Sequence, residues 1–194
     1  MKKNFCIIGA GWYGLHLAIE LKKKYNVTIF EKHKDIFLGS SGFNQFRAHE
    51  GFHYPRSSKT IEEIKKNSIK FRKQYSFGLK FYKKNIYAIA KESSLLDFNS
   101  YLTLIKKQRL KHKIIQNIPY LKNVEGIIDT NEGVILNDKI KKYFLKNLKK
   151  NIVFNTNVKL NKELTKNFDY ILDCTNNELS FNNLIKHNLV LTIS

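Results

Sequence analysis

Three glycines set between two apolar runs constrain this chain more than any other feature. The stretch is CIIGAGWYGLHLAIELKKKYNVTIFEK, from Cys6 to Lys32. Residues 4–8, NFCII, read as a short, fully buried strand. Residues 14–24, GLHLAIELKKK, carry Leu15, Ala18, Ile19 and Leu21 at helical spacing and end on lysines, where the helix dipole favours cations. Residues 27–31, VTIFE, read as a second, β-branched strand. Strand, glycine turn, helix and strand make one βαβ unit of parallel sheet, whose crossover is almost always right-handed. The spacing Gly9-x-Gly11-x-x-Gly14 then has a mechanical meaning. Gly9 permits the tight turn, Gly11 leaves room for a pyrophosphate, and Gly14 lets helix and strand approach closely. The helix N-terminus offers free N–H groups to phosphate. Glu31, at the end of the second strand, is placed to accept hydrogen bonds from ribose hydroxyls. A turn that merely packs would explain the glycines but not the acid. A dinucleotide site is therefore expected, and Trp12, Tyr13 and Lys32 are counted with its contacting residues.

The bulk numbers narrow the alternatives. With 194 residues, 42% of them hydrophobic, the chain is long enough for one sizeable domain, or a domain with a small annex. No Ser, Gly or Pro-rich linker divides it, and no internal repeat is visible. The net charge of +19 invites a nucleic-acid reading. However, the charge is spread along the chain and is nearly all lysine, with only Arg47, Arg56, Arg72 and Arg109 as arginines. Arginine is the better fork for phosphates and bases, and no recognition motif accompanies the charge. No specific nucleic-acid partner is expected. Cys6 and Cys174 lie in apolar, strand-like runs and read as buried free thiols, which suits a reducing compartment. The first apolar run breaks at Gly9, and no run is long enough to span a bilayer. A cytoplasmic protein without a membrane span is expected.

Downstream of the acid lies FLGSSGFNQFRAHEGFHYPRSS, residues 37–58, a long polar loop where a simple NAD domain would proceed to another helix and strand. With Gly9, Gly11, Gly14 and Glu31 ahead of it, and Ser40, Ser41, Asn44, His49, Gly51 and Tyr54 in it, the chain resembles the FAD-dependent oxidoreductases of the D-amino acid oxidase type. That family includes glycine oxidase, glycerol-3-phosphate dehydrogenase and 2-hydroxyglutarate dehydrogenase. The resemblance implies that Ser40, Ser41 and Gly42 touch phosphate or ribityl. It also implies that Asn44, Gln45 and the His49–Gly51 backbone lie near the flavin. In EGVILNDKIKKYFLKNLKKNIVFNTNVKL, residues 132–160, a strand, a helix with Ile140, Phe144, Leu145 and Leu148 on one side, and a strand pair are expected. FDYILDCTN, residues 168–176, reads as a buried strand. By the same resemblance Val158 holds the adenine through its backbone, and Thr175 and Asn176 sit at the pyrophosphate. Asn176 stands where the family has Gly, a substitution compatible with a left-handed backbone.

The expected fold is α/β: a Rossmann-like FAD-binding domain with a partial inserted substrate-binding lobe. Residues 1–78 and 131–178 would form the cofactor domain, and 79–130, with 179–194 begun, the partial lobe. Within the lobe, LKFYKKNIYAIA suggests a hairpin turning near Lys84 and Asn85, and SLLDFNSYLTLIKKQRL an amphipathic helix. Family members run to nearly twice this length, so a truncated or split enzyme, completed by a second chain, is one expectation. A non-catalytic nucleotide-binding remnant and an NAD(P)-dependent enzyme are the alternatives.

For chemistry beyond the cofactor, His49, His53, Tyr54 and Arg56 form the one convergent polar group. The substrate implied is a small amine or hydroxy compound that passes a hydride to the flavin. Arg56 or Arg47 could clamp its carboxylate or phosphate, and His49 or His53 could take its proton. His49 and His53 are four apart, but Gly51 and Pro55 argue against a helix there and no third ligand is evident, so no metal site is expected. No nucleophile elbow or P-loop appears.

Overall fold

A computed structural model describes residues 2–116, 118–158 and 162–175. By contacts the chain divides into two compact units, residues 1–44 with 141–194, and residues 45–140.

The first unit is built on a parallel sheet. Its strands are β1 (Asn4–Ile8) and β2 (Asn26–Phe30), joined through helix α1 (Trp12–Leu21). β2 is flanked by a two-residue strand, β9 (Ile152–Val153), and β1 by β10 (Tyr170–Asp173), giving the order β10-β1-β2-β9 with every pairing parallel. The expected βαβ unit is therefore present. β1 buries Cys6, Ile7 and Ile8, as a central parallel strand must. α1 turns Leu15, Ala18 and Ile19 inward. The helix is shorter than its apolar pattern suggested: it stops at Leu21, so Lys22–Lys24 lie just past its end. From the last of the chain's longer helices, Phe144 and Leu148 enter this core, both with no exposed surface, while Leu145 is half-buried.

One expectation fails here. Residues 151–160 do not give a strand pair among the described residues. After β9 the backbone turns, with Asn155 at φ 53°. The amides of Asn155 and Thr156 donate to the carbonyls of His33 and Glu31, and residues 154–158 form no strand, while 159 and 160 lie outside the described residues. A short helix at Lys162–Asn167 precedes β10.

The second unit holds two antiparallel sheets of three strands each. In the first, β3 (Arg47–Ala48) and β4 (Leu79–Lys80) flank β8 (Gly133–Ile135). In the other, β5 (Ile86–Ala90) and β6 (His112–Ile115) flank β7 (Val124–Thr130). The expected hairpin about Lys84 and Asn85 is thus corrected, because β4 and β5 belong to different sheets. Asn85 separates them: its amide donates to Asp129 Oδ1 at 2.9 Å and its Nδ2 to the Glu132 carbonyl at 2.8 Å, so it is anchored to the β7–β8 connection instead of closing a turn. Helix α2 (Ser58–Tyr75) is capped by Ser57, whose Oγ accepts the Thr60 amide. Helix α3 (Phe98–Lys107) is capped by Asp97, which accepts the Ser100 amide at 2.9 Å. α3 is the expected amphipathic helix, and it buries Tyr101, Leu102 and Ile105 against Phe52, Ile61, Leu110 and Ile128. Helix α4 (Asn137–Leu148) follows β8, and its Ile140 is fully buried.

Candidate functional site

The glycine turn follows β1. Gly9 has φ 102°, in the left-handed region, and a Cβ there would stand 2.8 Å from the Cys174 carbonyl oxygen. Gly14 sits inside α1, where a Cβ would come within 2.1 Å of the Gly9 oxygen. These two glycines therefore let strand, turn and helix close up, as the spacing implied. Gly11 differs. Its backbone is ordinary, φ −75° and ψ 179°, and a Cβ would meet only Ser41 Oγ, at 3.2 Å. Its lack of a side chain keeps the ground in front of the helix clear. The first turn of α1 carries no acidic residue, and Gly11 supplies no side-chain cap, so the positive end of the helix is left to other acceptors. One of them is Ser41, whose Oγ accepts the Trp12 amide at 2.9 Å.

Glu31 follows β2 and is 7% exposed. Its carboxylate is fixed from two sides: Oε2 accepts the Ala10 amide at 2.6 Å and Oε1 the His33 amide at 3.0 Å. A carboxylate has about four acceptor positions, so both oxygens retain capacity toward a ribose. Lys32 is exposed next to it, and Tyr13 is exposed on α1. Trp12 stacks on Phe37, with centroids 5.7 Å apart and planes at 12°, and meets Phe144 edge-on. Phe37 has φ 63°, and its carbonyl lies 1.9 Å from where a Cβ at Gly42 would stand. Gly42 is therefore required by the close fold of the Ser40–Gly42 turn. Asn44 Nδ2 donates to the Ser40 and Ser41 carbonyls and shapes this turn, while Gln45 is exposed. Val158 is half-buried beyond β9. Thr175 closes a small turn after β10, its amide and hydroxyl both donating to Asp173 Oδ1 at 2.8 and 2.6 Å. Asn176 lies outside the described residues.

These features test whether the residues fit a dinucleotide. The cleared helix end, the two close-packed glycines and the fixed acid at the strand end suit one. Cys6, fully buried in β1, is pushed by that burial up to about 11, which makes it a packing residue. Cys174 is only half-buried, less than its apolar run suggested.

In the second unit, His49, His53 and Tyr54 converge. The His49 and His53 rings are 5.9 Å apart, His49 and Tyr54 6.0 Å, and His53 and Tyr54 5.2 Å. Gly51 at φ 112° and the Tyr54 N–H to Gly51 carbonyl bond form the turn that gathers them. His53 and Arg56 are exposed and His49 is half-buried, with a buried Nδ1 that has no hydrogen-bond partner among the described residues. Burial, helped by His53 and Arg47 and opposed by Glu132, holds His49 below the usual imidazole range. Arg47 is engaged within the protein. Its Nη2 donates to Asn85 Oδ1 at 2.5 Å, and its guanidinium lies 4.2 Å from the Tyr87 ring centroid.

Sequence reasoning missed the hub of this region. Glu132 is 1% exposed. Its Oε1 accepts the Glu50 amide at 2.7 Å, its Oε2 accepts the Tyr87 hydroxyl at 2.5 Å, and Arg47 Nη1 stands 3.9 Å away. Burial and the neighbouring Glu132 charge raise Tyr87 well above the usual phenol range, and burial does the same to Tyr101. The available sequence signal was slight: an acid set directly ahead of the apolar run GVIL. Among the described residues no group of three or more His, Cys, Asp or Glu could hold a metal, and no helix is long and apolar enough to cross a membrane.

Comparison with known proteins agrees with this geometry. The family described as DAO, FAD dependent oxidoreductase, matches residues 4–173. The FAD-dependent monooxygenase FPY4 of Fusarium mangiferae is 33% identical over 180 residues, 87% of this chain and 48% of that protein. The FAD-dependent monooxygenase kojA of Aspergillus flavus is 41% identical over 90 residues, 46% of this chain and 21% of that one. Among solved structures, the L-alpha-glycerophosphate oxidase of Mycoplasma pneumoniae, solved with FAD bound, superposes with a TM-score of 0.62 at 18% identity over 81% of this chain and 46% of the other. Glycine oxidase of Geobacillus kaustophilus superposes with a TM-score of 0.60 at 14% identity, over 78% and 46%. At those identities the likeness is one of fold. The chain spans about half, or less, of the length of each of these proteins.

Proposed function

Since the chain belongs to the DAO family of FAD dependent oxidoreductases, we propose that it binds FAD and serves the oxidation of a small amine or hydroxy compound. The observation that carries the reading is the first βαβ unit: Gly9 and Gly14 packed as the turn requires, Gly11 kept clear, and Glu31 held at the strand end. In this reading the first turn of α1, from Gly11 to Gly14 with Trp12 and Tyr13, faces the pyrophosphate. Glu31 and Lys32 take the ribose side, Val158 the adenine, and Ser40, Ser41, Gly42 and Thr175 the phosphate and ribityl side. Asn44 and Gln45 lie toward the ring. Bound FAD supplies a ring that accepts a hydride. The protein's own part is to bind the substrate and handle its proton. His49, kept neutral by its surroundings, is the base, with His53 beside it, and the exposed Arg56 takes the substrate's anionic group.

Residues 1–78 and 131–178 are the cofactor part of this reading, and 79–130 the substrate part. The relatives carry about as much chain again beyond what matches here. Turnover is proposed for the form in which that portion is supplied, by the same or a second polypeptide. Free Cys6 and Cys174 support a reducing compartment, the cytoplasm, and cell fractionation decides it. The fungal relatives' names favour a second reading, a monooxygenase. Labelled dioxygen separates the two, because only a monooxygenase leaves the label in the organic product.

The test of the main reading is calorimetric titration of the purified chain with FAD, NAD and NADP, in the parent and in Gly11→Val. FAD should bind and the nicotinamide cofactors should not, and Gly11→Val should lose FAD while keeping its circular dichroism. NAD binding in preference to FAD, or unchanged FAD binding by the variant, defeats it.

A further inference from the structure

Glu132 has no place in the cofactor site, and its side chain has no exposed surface. A buried carboxylate is costly unless it is paired and hydrogen-bonded, and well-packed apolar residues often replace such groups without loss. Its partners here are arranged around one residue. On one side of His49, the Glu50 amide donates to Glu132 Oε1 at 2.7 Å. On the other, Ala48 pairs with Gly133, the residue that follows Glu132, and Arg47 faces Oε2 at 3.9 Å. Tyr87 donates to the same oxygen from the other sheet. Glu50 is itself bonded to Arg72 of α2, so the backbone beyond His49 is held from two directions.

We propose that Glu132 is a positioning residue for His49: its carboxylate holds the Glu50 amide directly after the imidazole, its neighbour Gly133 pairs with Ala48 directly before it, and it places a negative charge near the imidazole. The charged and titratable groups facing His49 are Glu132 ahead of β8, Arg47 on β3, and His53 and Tyr54 in the following turn. Burial, Arg47 and His53 all disfavour the imidazolium, and Glu132 alone favours it. Glu132 thus sets how readily His49 gives back a proton it has taken. This deepens the proposed function and rests on it in one respect, that His49 takes the substrate's proton. The clamp itself needs neither flavin nor substrate.

The test is an NMR titration of the histidine side chains in the full chain without added ligand. It compares the parent, Glu132→Gln, which keeps the shape and removes the charge, and Glu92→Gln, an exposed control. The His49 midpoint should fall by about half a unit or more in Glu132→Gln, as loss of a nearby charge requires. Glu92→Gln should leave it in place. An unmoved His49 midpoint in folded Glu132→Gln overturns the proposal. Should that variant not fold, the parent alone decides. The Glu132 carboxyl carbon should show an inflection at the His49 midpoint, and a flat trace through that pH overturns the proposal equally. Failure of FAD titration beside a positive coupling would remove the proposed function and leave the clamp, and the reverse outcome would do the opposite.

Discussion

The Ala10 amide donates to Glu31 Oε2 across 2.6 Å, and the bond is buried. The residue that would hold a ribose is therefore also the residue that ties the glycine turn to the end of β2. Binding and local stability share one carboxylate.

Glu31→Ala should consequently fail in two assays. Loss of a charge-assisted hydrogen bond that leaves the Ala10 N–H buried costs about 1–3 kcal/mol. For a chain of this size that is roughly 2–4 °C of midpoint per kcal/mol. Thermal unfolding should show this drop without ligand, and FAD affinity should fall beyond it. A variant with the parent's midpoint would mean the bond is not made in solution.

Gly14→Ala and Gly11→Ala should separate structure from binding. At Gly14 the new methyl meets backbone oxygen, which cannot swing aside, so stability should fall by about 1–3 kcal/mol. At Gly11 it meets only the Ser41 hydroxyl, so unfolding should be nearly unchanged while FAD affinity suffers. Denaturant midpoints and calorimetric titration of both variants check the contrast.

His49 makes the chain sensitive to acid. Its folded-state pKa is depressed below the usual value of about 6.5, so between the two values the unfolded chain binds more protons than the folded one. Stability is then fully present above the unfolded value and declines as pH falls through it toward the folded one. His49→Gln, which has no proton to gain, should flatten the loss that sets in as pH falls below about 6.5, measured by urea unfolding at each pH. A steeper loss in the variant would reverse the sign argued here.

Asn85 is 8% exposed and joins Arg47, Asp129 and Glu132. Asn85→Ala keeps its backbone bond to Asp129 but removes the shorter of the two Arg47 Nη2 bonds and the side-chain donor to the Glu132 carbonyl. A loss of about 1–3 kcal/mol in urea unfolding is expected. Asn85→Asp should not recover it, because its carboxylate still accepts from Arg47 but sets an oxygen against the Glu132 carbonyl where Nδ2 donated.

The glycine turn, α1, β2 and the buried stripe of α4 were legible in the sequence because their information is local. Three glycines at fixed spacing, and Ile140, Phe144 and Leu148 at helical spacing, name their own neighbours. The hub at Glu132 was not legible, since its partners come from far along the chain: Glu50 is 82 positions away and Tyr87 45. Nothing in the run TNEGVIL says which distant donors an acid will meet. The mistaken hairpin has the same origin. Lys84 and Asn85 look like a turn, but the Asn85 side chain donates to the Glu132 carbonyl of the β7–β8 connection and accepts from Arg47 of β3, and that tertiary pairing separates β4 from β5.

Trp12 is the chain's single tryptophan. It lies against Phe37 at the start of α1, one residue past the glycine whose emptiness the phosphate reading needs. All indole emission from the protein therefore originates at the glycine turn that opens α1. Quenching, spectral position and anisotropy of that one indole, excited at the red edge where tyrosine does not absorb, report on the turn directly with no label introduced.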